Sequence, residues 1–527
     1  MARQQVLITG ATDGIGLALV QIYLARGVRV IAVGRRPASA LPAVLRPDYC
    51  RVDLAQPFAP AVVASFLHQR GLNTLDQLIH CAGVGSYGPV MAQTSTELAT
   101  LLQTNLYAPI ALTHALLPLL ITAHGRIVFI GSVAAALPVP AYAVYGATKA
   151  ALEGFARSLR VELAGHVMVQ VIHPGATRTA MHHKVGAPLD QIGWQRFPPP
   201  ERVARQLVRA SERGTAVATL GAGNRIMRFA GIYLGKSVER VVRTRTIRQA
   251  SPPAQLPVLA PPQGLRHCVV TGGADGIGRA IAERYVTEGW IVTLIDRDRA
   301  RADEIARVMR AQGTAVTVIE ADLIQAVDRD RVLQQLAALP PADVFVHSAG
   351  ISLVGRFAQS DLPRQQAVLE LNLYAPMDLT AGLLRQNLLA PGATLVMIAS
   401  LSVYTGYPGA SVYAASKDGL AAYARSLRAA LSPQGLNVLT VYPGPTRTAH
   451  ARRYSPDNRR ERRRMRPTHL ANLIVAAVQR RATSLIPGFA NRLLATSGRF
   501  LPSLTETLMQ QAILKKLPVT GVLSNQE

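Results

Sequence analysis

The sequence predicts an α/β protein made of two tandem domains, each a doubly wound parallel sheet covered by helices. Three observations carry that reading. The chain repeats itself, each half alternates short apolar runs with longer helical patterns, and a glycine-rich turn joins the first run of each half to its first helix. The repeat is the strongest signal. Thr9-Gly10-Ala11-Thr12-Asp13-Gly14-Ile15-Gly16 returns as Thr271-Gly272-Gly273-Ala274-Asp275-Gly276-Ile277-Gly278. Asn105-Leu106-Tyr107-Ala108-Pro109 returns as Asn372-Leu373-Tyr374-Ala375-Pro376, Tyr145 and Lys149 as Tyr413 and Lys417, and Pro174-Gly175 as Pro443-Gly444. Segments 221–225 and 488–492 both end in Asn-Arg. The offset drifts only from 262 to 269 residues, which marks homologous units rather than chance motifs.

The domains are therefore expected at 1–250 and 266–527. Between them, 251–265 holds five prolines and no charge, the composition of an extended, semi-rigid connector. At 527 residues, 49% hydrophobic and 17% charged, the chain can bury two full cores. Cys50, Cys81 and Cys268 are too few for a disulfide scaffold and lack metal-site spacing. No signal-peptide core precedes the apolar run at Val6, so a cytoplasmic protein is expected. Two uncharged stretches, 127–148 and 386–416, are broken by Gly, Pro, Ser and Tyr and read as strand plus loop, not membrane spans.

In the first half, apolar runs at 6–8, 28–33, 77–81, 127–130 and 167–172 read as buried parallel strands, matched at 267–270, 291–295, 344–347, 394–398 and 437–441. Each glycine turn follows the first strand. Gly10, Gly14, Ile15 and Gly16, and likewise Gly272, Gly276, Ile277 and Gly278, allow a tight turn and bring backbone amides to a pyrophosphate at the positive end of a helix. At the end of the second strand the halves diverge. Gly34-Arg35-Arg36 suits a 2′-phosphate, because guanidinium pairs with phosphate in a fork. Asp296 accepts from ribose hydroxyls and repels that phosphate, so the first half is read as NADP-binding and the second as NAD-binding. The alternatives are a solvated turn at Arg35 and Arg36, and an Arg297 that admits either cofactor. Asp53 and Asp322, closing the third strands, suit an adenine contact or a capping role.

Tyr145-Gly146-Ala147-Thr148-Lys149 and Tyr413-Ala414-Ala415-Ser416-Lys417 open long helices, on which i and i+4 share a face. An ammonium near the phenol favours phenolate, fitting tyrosine for general acid–base work on an alcohol or carbonyl oxygen. Ser132 and Ser400 sit thirteen residues earlier, at the ends of buried strands, where a hydroxyl reaches the same oxygen.

These residues resemble the short-chain dehydrogenase/reductases over nearly the whole of each half. Further matching features are Ala82-Gly83 and Ala349-Gly350 after the fourth strands, and the Pro-Gly pairs with Thr177 and Thr446 following. The resemblance implies a Rossmann-type fold and two catalytic sets: Asn105, Ser132, Tyr145 and Lys149, then Asn372, Ser400, Tyr413 and Lys417. In that family tyrosine transfers the proton, lysine also binds the nicotinamide ribose, serine polarises the carbonyl and asparagine supports a water relay. It also implies an intramolecular pseudo-dimer, with the Tyr–Lys helices pairing as subunits do. The family's Asn-Asn-Ala-Gly reads His80-Cys81-Ala82-Gly83 and His347-Ser348-Ala349-Gly350, so His80 and His347 are read as structural substitutes and Cys81 as a core residue.

Charge sharpens the substrate reading. The net +26 is shared, +15 in 1–250 and +11 in 251–527, and favours anionic partners. With only 5% aromatic residues and no aromatic–basic interleaving, nucleic-acid binding is not expected. The resemblance implies that substrate enters at segments 179–200 (His182, His183, Lys184, Trp194, Phe197) and 448–467 (Arg452, Arg453, Arg459, Arg460, Arg462, Arg463, Arg464, Arg466). The arginine run reads either as a flexible solvated loop or as a site for an anionic group. Amphipathic segments 226–242 and 493–509 either pack within the molecule or lie on a membrane surface as a peripheral contact. The expected activity is interconversion of a secondary alcohol and a ketone on a lipophilic substrate with an anionic group. A redox-neutral epimerase pairing the two halves is the alternative, and a dinucleotide-sensing scaffold the rival of another class.

Overall fold

Strand–helix alternation builds the two sheets. The computed structural model describes residues 4–249 and 266–517, apart from Pro456 and Arg460. The connector at 251–265 lies outside the described residues. In the first half the strands are β1 (Gln5–Thr9), β2 (Arg29–Gly34), β3 (Tyr49–Arg51), β4 (Gln77–His80), β5 (Arg126–Ile130), β6 (Met168–His173) and β7 (Val217–Thr219). In the second half they are β8 (His267–Thr271), β9 (Ile291–Asp296), β10 (Val316–Glu320), β11 (Ala342–His347), β12 (Leu389–Ile398), β13 (Asn437–Val441) and β14 (Ser484–Leu485). Both sheets have seven strands in one order, β3-β2-β1-β4-β5-β6-β7 and β10-β9-β8-β11-β12-β13-β14. All pairings are parallel, with Leu7 opposite Ile31 and Leu78, and Val269 opposite Thr293 and Phe345. The order reverses between β1 and β4, and between β8 and β11, opening a crevice at the carboxyl ends of the strands.

The central strands are buried on both faces, which requires near-continuous apolar runs; Val6, Leu7, Ile8 and Val269, Val270 are fully enclosed. Two differences from the sequence reading have simple causes. Asp53 and Asp322 lie two residues beyond β3 and β10 instead of within them. The edge strands β7 and β14 are three and two residues long, too short for a periodic sequence signal. The stretches 127–148 and 386–416 are strand, loop and helix start. One helical run among the described residues, Ser95–Thr122, is long and apolar enough to cross a membrane, and 78% of its apolar window is buried inside the fold.

The two long helices, Ala143–Glu162 and Ser411–Leu431, pack against each other. Small residues let them approach: a Cβ on Gly419 would sit 3.1 Å from that of Ala151. Arg157 crosses to Asp418 at 2.6 Å, and Glu162 accepts from the backbone N–H of Phe357 and of Gly409 at 2.9 and 2.8 Å. One apolar cluster runs through both halves, from Phe129 and Phe155 to Phe345, Phe357 and Tyr423. Beyond the seventh strands, 226–242 and 493–509 are not single helices. Each splits in two, Ala222–Tyr233 and Gly235–Gln249, then Phe489–Phe500 and Pro502–Ala512, because glycine and proline interrupt at the breaks. These outer helices cross onto the opposite half: Glu239 pairs with Arg428, and Glu506 with Arg160.

Candidate active site

Glycine is required where the first strand meets its helix. Gly10 has φ +68°, and a Cβ there would lie 2.7 Å from the Ala82 Cα; a Cβ on Gly16 would lie 2.1 Å from the Gly10 oxygen. Gly272 and Gly278 repeat this against Ala349 and the Gly272 oxygen, at 2.9 and 2.2 Å. Asp13 and Asp275 cap the helices Gly14–Ala25 and Gly276–Val286, accepting from Gly14 and Gly276 N–H at 2.8 and 2.7 Å. Thr9 Oγ1 accepts from the N–H groups of Cys81 and Ala82, and Thr271 Oγ1 from Ser348 and Ala349, all at 3.1 Å. The threonines thus fix Ala82-Gly83 and Ala349-Gly350 beside the glycine turns. The result is a backbone cradle at a helix N-terminus, which fits a dinucleotide pyrophosphate.

At the second strand end, Arg36 Nη2 bonds Asp13 Oδ2 at 3.1 Å and Arg35 Nη1 lies 4.0 Å from Asp53 Oδ2, both exposed. Lys184 Nζ also reaches Asp13, at 3.0 Å. Asp296 accepts from Ala274 and Asp298 N–H at 3.0 and 3.1 Å and lines the crevice. Asp53 and Asp322 accept from the N–H two residues on, Ala55 and Ile324, so each closes its own turn; Asp322 also lines the crevice.

The four-residue sets converge in both halves. Lys149 Nζ donates to the Ile130 carbonyl and Lys417 Nζ to the Ile398 carbonyl, both at 3.0 Å. Their ammonium nitrogens lie 5.9 and 5.8 Å from the Tyr145 and Tyr413 ring centres. Ser132 and Ser400 each accept from an N–H two residues on, at 3.2 Å, and hydrogen-bond the tyrosine phenols. Asn105 and Asn372 sit in one-turn π-helices, Gln103–Tyr107 and Glu370–Tyr374, a local widening common at functional sites. Each clamps a backbone: Asn105 with Val84, and Asn372 with Ile351, at 2.8–2.9 Å both ways. Gly83 and Gly350 leave the room, since a Cβ there would lie 3.4 and 3.0 Å from the asparagine Oδ1.

The electrostatics differ from the sequence reading. Burial raises the pKa of both tyrosines, and the serine hydrogen bonds pull only part of the way back. Burial also lowers Lys149 and Lys417 to about 8. The protonated phenol is thus the resting form, because desolvation outweighs an ammonium about 6 Å from the ring. His80 stacks on Phe129 and bonds Thr113 Oγ1 at 2.9 Å, while His347 bonds Thr380 Oγ1 at 3.1 Å. Burial holds both near 3, hence neutral, and lifts the Cys81 thiol to about 12.

The Pro-Gly segments lie against the serine turns: Val133 N–H donates to Pro174 and Leu401 N–H to Pro443. Thr177 and Thr446 hydroxyls donate to Gly175 and Gly444 carbonyls at 3.1 Å. Sequence reasoning gave no role to Asn224 and Asn491, although the repeat marked them. Their amides press on Gly175 and Gly444, where a Cβ would lie 2.3 and 2.5 Å away. On the substrate side of the first half, His182 joins Tyr142 (3.1 Å, Nδ1 to OH) and Phe197, and Tyr142 meets Tyr87 and Tyr145. Trp194 donates to the Thr179 carbonyl at 3.4 Å.

In the second half a cavity of about 1790 Å³ runs from Asp296 past Ser400, Tyr413 and Lys417 to Met509 and Lys516. The arginine segment on its wall is not a loose loop. It contains the helix Ala449–Tyr454, and Arg464 binds Ser455, the Asp457 carbonyl and Asn458 at 2.8–2.9 Å. Arg452 pairs with Glu461, and Arg459 with Asp457. Arg453, Arg463 and Arg466 line the cavity with no carboxylate partner among the described residues. Arg460 lies outside those residues. No metal-ligating cluster occurs among them either.

The duplicated cradle and hydroxyl–phenol–ammonium sets define a nucleotide-dependent oxidoreductase architecture. The short chain dehydrogenase family profile matches residues 4–190 and 266–459, and the chain belongs to that NAD(P)-dependent family. Among curated relatives, the chain is 36% identical over 190 residues to dehydrogenase/reductase SDR family member 7B of Bos taurus, covering 33% of this chain and 58% of that protein. It is 29% identical to ketoacyl reductase HetN of Nostoc sp., covering 41% and 77%. Similar solved structures include a short-chain dehydrogenase from Sphingobium yanoikuyae in complex with NADPH, at 27% identity, covering 46% of this chain and 96% of that one, with TM-score 0.40. Another is a putative NAD(P)-dependent gluconate 5-dehydrogenase from Beutenbergia cavernae, at 30% identity, covering 42% and 94%, with TM-score 0.39.

Proposed function

We propose that each half interconverts a secondary alcohol and a ketone, the first with NADP(H) and the second with NAD(H). The carrying observation is the convergence, twice, of Ser132, Tyr145, Lys149 and Asn105, and of Ser400, Tyr413, Lys417 and Asn372, beside a dinucleotide cradle. A nicotinamide bound there gives or takes the hydride. The residues do the rest. The serine hydroxyl and the protonated tyrosine hold the carbonyl oxygen, and the phenol hands it a proton as the alcohol forms. The lysine ammonium offsets the phenolate left behind. Asn105 and Asn372 fix the strand-end backbone behind the lysine.

The second half takes a lipophilic substrate with an anionic group. Arg453, Arg463 and Arg466 supply the charge, and Leu494, Met509 and Ile513 the apolar wall. The aromatic Tyr87, Tyr142, His182 and Phe197 give the first half a different, less charged substrate side. The contrast between Arg35-Arg36 and Asp296 in one chain also favours a second reading, a redox-neutral pair in which one half oxidises and the other reduces the same centre.

Single Tyr→Phe variants separate these readings. Losing the proton donor should lower turnover by about 10²–10⁴ while leaving the ring packing in place. For independent halves, Tyr145→Phe abolishes only NADP-linked activity and Tyr413→Phe only NAD-linked activity. For an epimerising pair, either variant abolishes net turnover and spares the other half-reaction. Unchanged turnover in both variants, assayed against lipid and metabolite extracts by mass, would refute the oxidoreductase assignment of these residues.

A further inference from the structure

We infer that the outer helices of both halves form one face that docks on an anionic lipid bilayer. This goes beyond the catalytic reading and does not depend on it. Twelve of the twenty exposed large apolar side chains among the described residues lie in or beside these four helices, six in each half. The helices make up only about a tenth of the chain, so the apolar exposure is concentrated there. Ile226 and Phe489 are the extremes, at 70% and 82% exposed.

Geometry joins the two sets. Ile226, Phe229 and Tyr233 recur at helical spacing along one side of Ala222–Tyr233, as Phe489, Leu493 and Phe500 do along Phe489–Phe500. The Tyr233 ring meets the Phe500 ring, its counterpart in the repeat, at 5.2 Å. Two equivalent residues in contact mark a pseudo-twofold axis, so the two apolar stripes meet across it. The crossed pairs Arg160–Glu506 and Arg428–Glu239 obey the same symmetry.

Charge selects the occupant. Segments 222–249 and 489–516 hold two acidic residues, Glu239 and Glu506, and both are tied to arginines of the long helices. The exposed charges left are positive: Arg225, Lys236, Arg240, Arg243, Arg245 and Arg248 on one side, Arg492 and Lys515 on the other, while Lys516 is tied to Asp457. An apolar stripe with a wholly basic border fits acyl chains beneath anionic headgroups, and each basic residue near such a surface adds about fivefold in partitioning. The second-half pair, with Ile513 just beyond it, walls the large cavity through Phe489, Leu494 and Met509. A lipophilic substrate therefore has a route from bilayer to site.

Vesicle sedimentation of the full-length chain tests this, using phosphatidylcholine vesicles with and without phosphatidylglycerol. The protein should sediment with the anionic vesicles only and be released by high salt. Arg240→Glu/Arg243→Glu should lower partitioning at least tenfold. Phe229→Gln/Phe489→Gln should lower it similarly while circular dichroism and the unfolding midpoint stay unchanged, since both side chains are exposed. No sedimentation of the wild-type chain, equal binding to neutral vesicles, or equal binding by these variants would overturn the proposal. So would a stable soluble dimer, by light scattering, that Phe229→Gln/Phe489→Gln dissociates.

Discussion

Lys149 and Lys417 are the residues whose state pH should read out first. Burial brings their pKa down from 10.5 to about 8, while it raises that of the tyrosines. Below pH 8 the lysines are charged and the phenols protonated, the pair needed for carbonyl reduction. As pH rises through 8 the ammonium is lost first. The kcat/KM profile for reduction should therefore fall above about pH 8, and an alkaline limb at 10 or beyond would contradict the assignment. The proposed cofactor choice also rests on single residues. In a Tyr413→Phe background, Arg35→Ala should raise KM for NADPH about tenfold or more and leave that for NADH nearly unchanged, from loss of a charge-assisted hydrogen bond to phosphate. Equal effects on both cofactors would count against it. The sequence showed these residue types and their spacing. It did not show the tyrosine pKa, because desolvation depends on how deeply the third dimension buries the phenol.

Among the elements, the outer helix Ala222–Tyr233 is tied down differently from its counterpart. Arg228, buried, pairs with Glu153 of the long helix, and the Glu153 Oε2 lies 3.6 Å from His173 Nε2. Burial opposes ionisation of Glu153, but Arg228 and His173 hold it down to about 2; burial lowers His173 to about 4. His173 in turn bonds the Ser132 carbonyl at 3.1 Å. At the matching places the second half has Ala495, Ala421 and Tyr442, in or beside an apolar cluster. The ion pair is thus not needed for the fold. Arg228→Ala should cost about 1–3 kcal/mol by taking the guanidinium from a partly buried carboxylate, and adding Glu153→Ala should recover much of that. Urea unfolding measures both, and a double variant as unstable as the single would defeat the argument. The amphipathic pattern announced these helices, but not that each segment breaks at Leu234-Gly235 or Leu501-Pro502, nor that they cross to the opposite half.

For the whole molecule, the two halves share a single inner core, so their stabilities are coupled through the long-helix interface. Glu162 is one titrating point of that interface, alongside Asp418, whose carboxyl burial also raises to about 7. Burial raises the Glu162 carboxyl from 4.5 to about 7, against the pull of two backbone N–H donors. Below pH 4.5 folded and unfolded chains both keep the proton, and the residue costs nothing. Between 4.5 and 7 only the folded chain keeps it, so stability falls as pH rises, by about 3 kcal/mol across the window. Glu162→Ala should remove that part of the slope in unfolding measured from pH 4.5 to 8; an unchanged slope would show that Glu162 is not the source.

The sequence by itself determined the duplication, the parallel α/β class, the glycine turns and the order of Asn, Ser, Tyr and Lys, because these depend on local backbone needs and on periodicities of two and 3.6. It also marked where the halves differ, at Gly34-Arg35-Arg36 and Asp296, since strand-end chemistry is written in adjacent residues. Only the tertiary structure decided that His80 and His347 are neutral and hydrogen-bonded to threonines, that Asn224 and Asn491 close on the Pro-Gly turns, and that the arginine segment is cross-braced around Asp457. It also decided that Tyr233 meets Phe500. The braces of the arginine segment span only two to nine residues, but the others depend on contacts between residues far apart in the chain, which no run of neighbouring residues encodes.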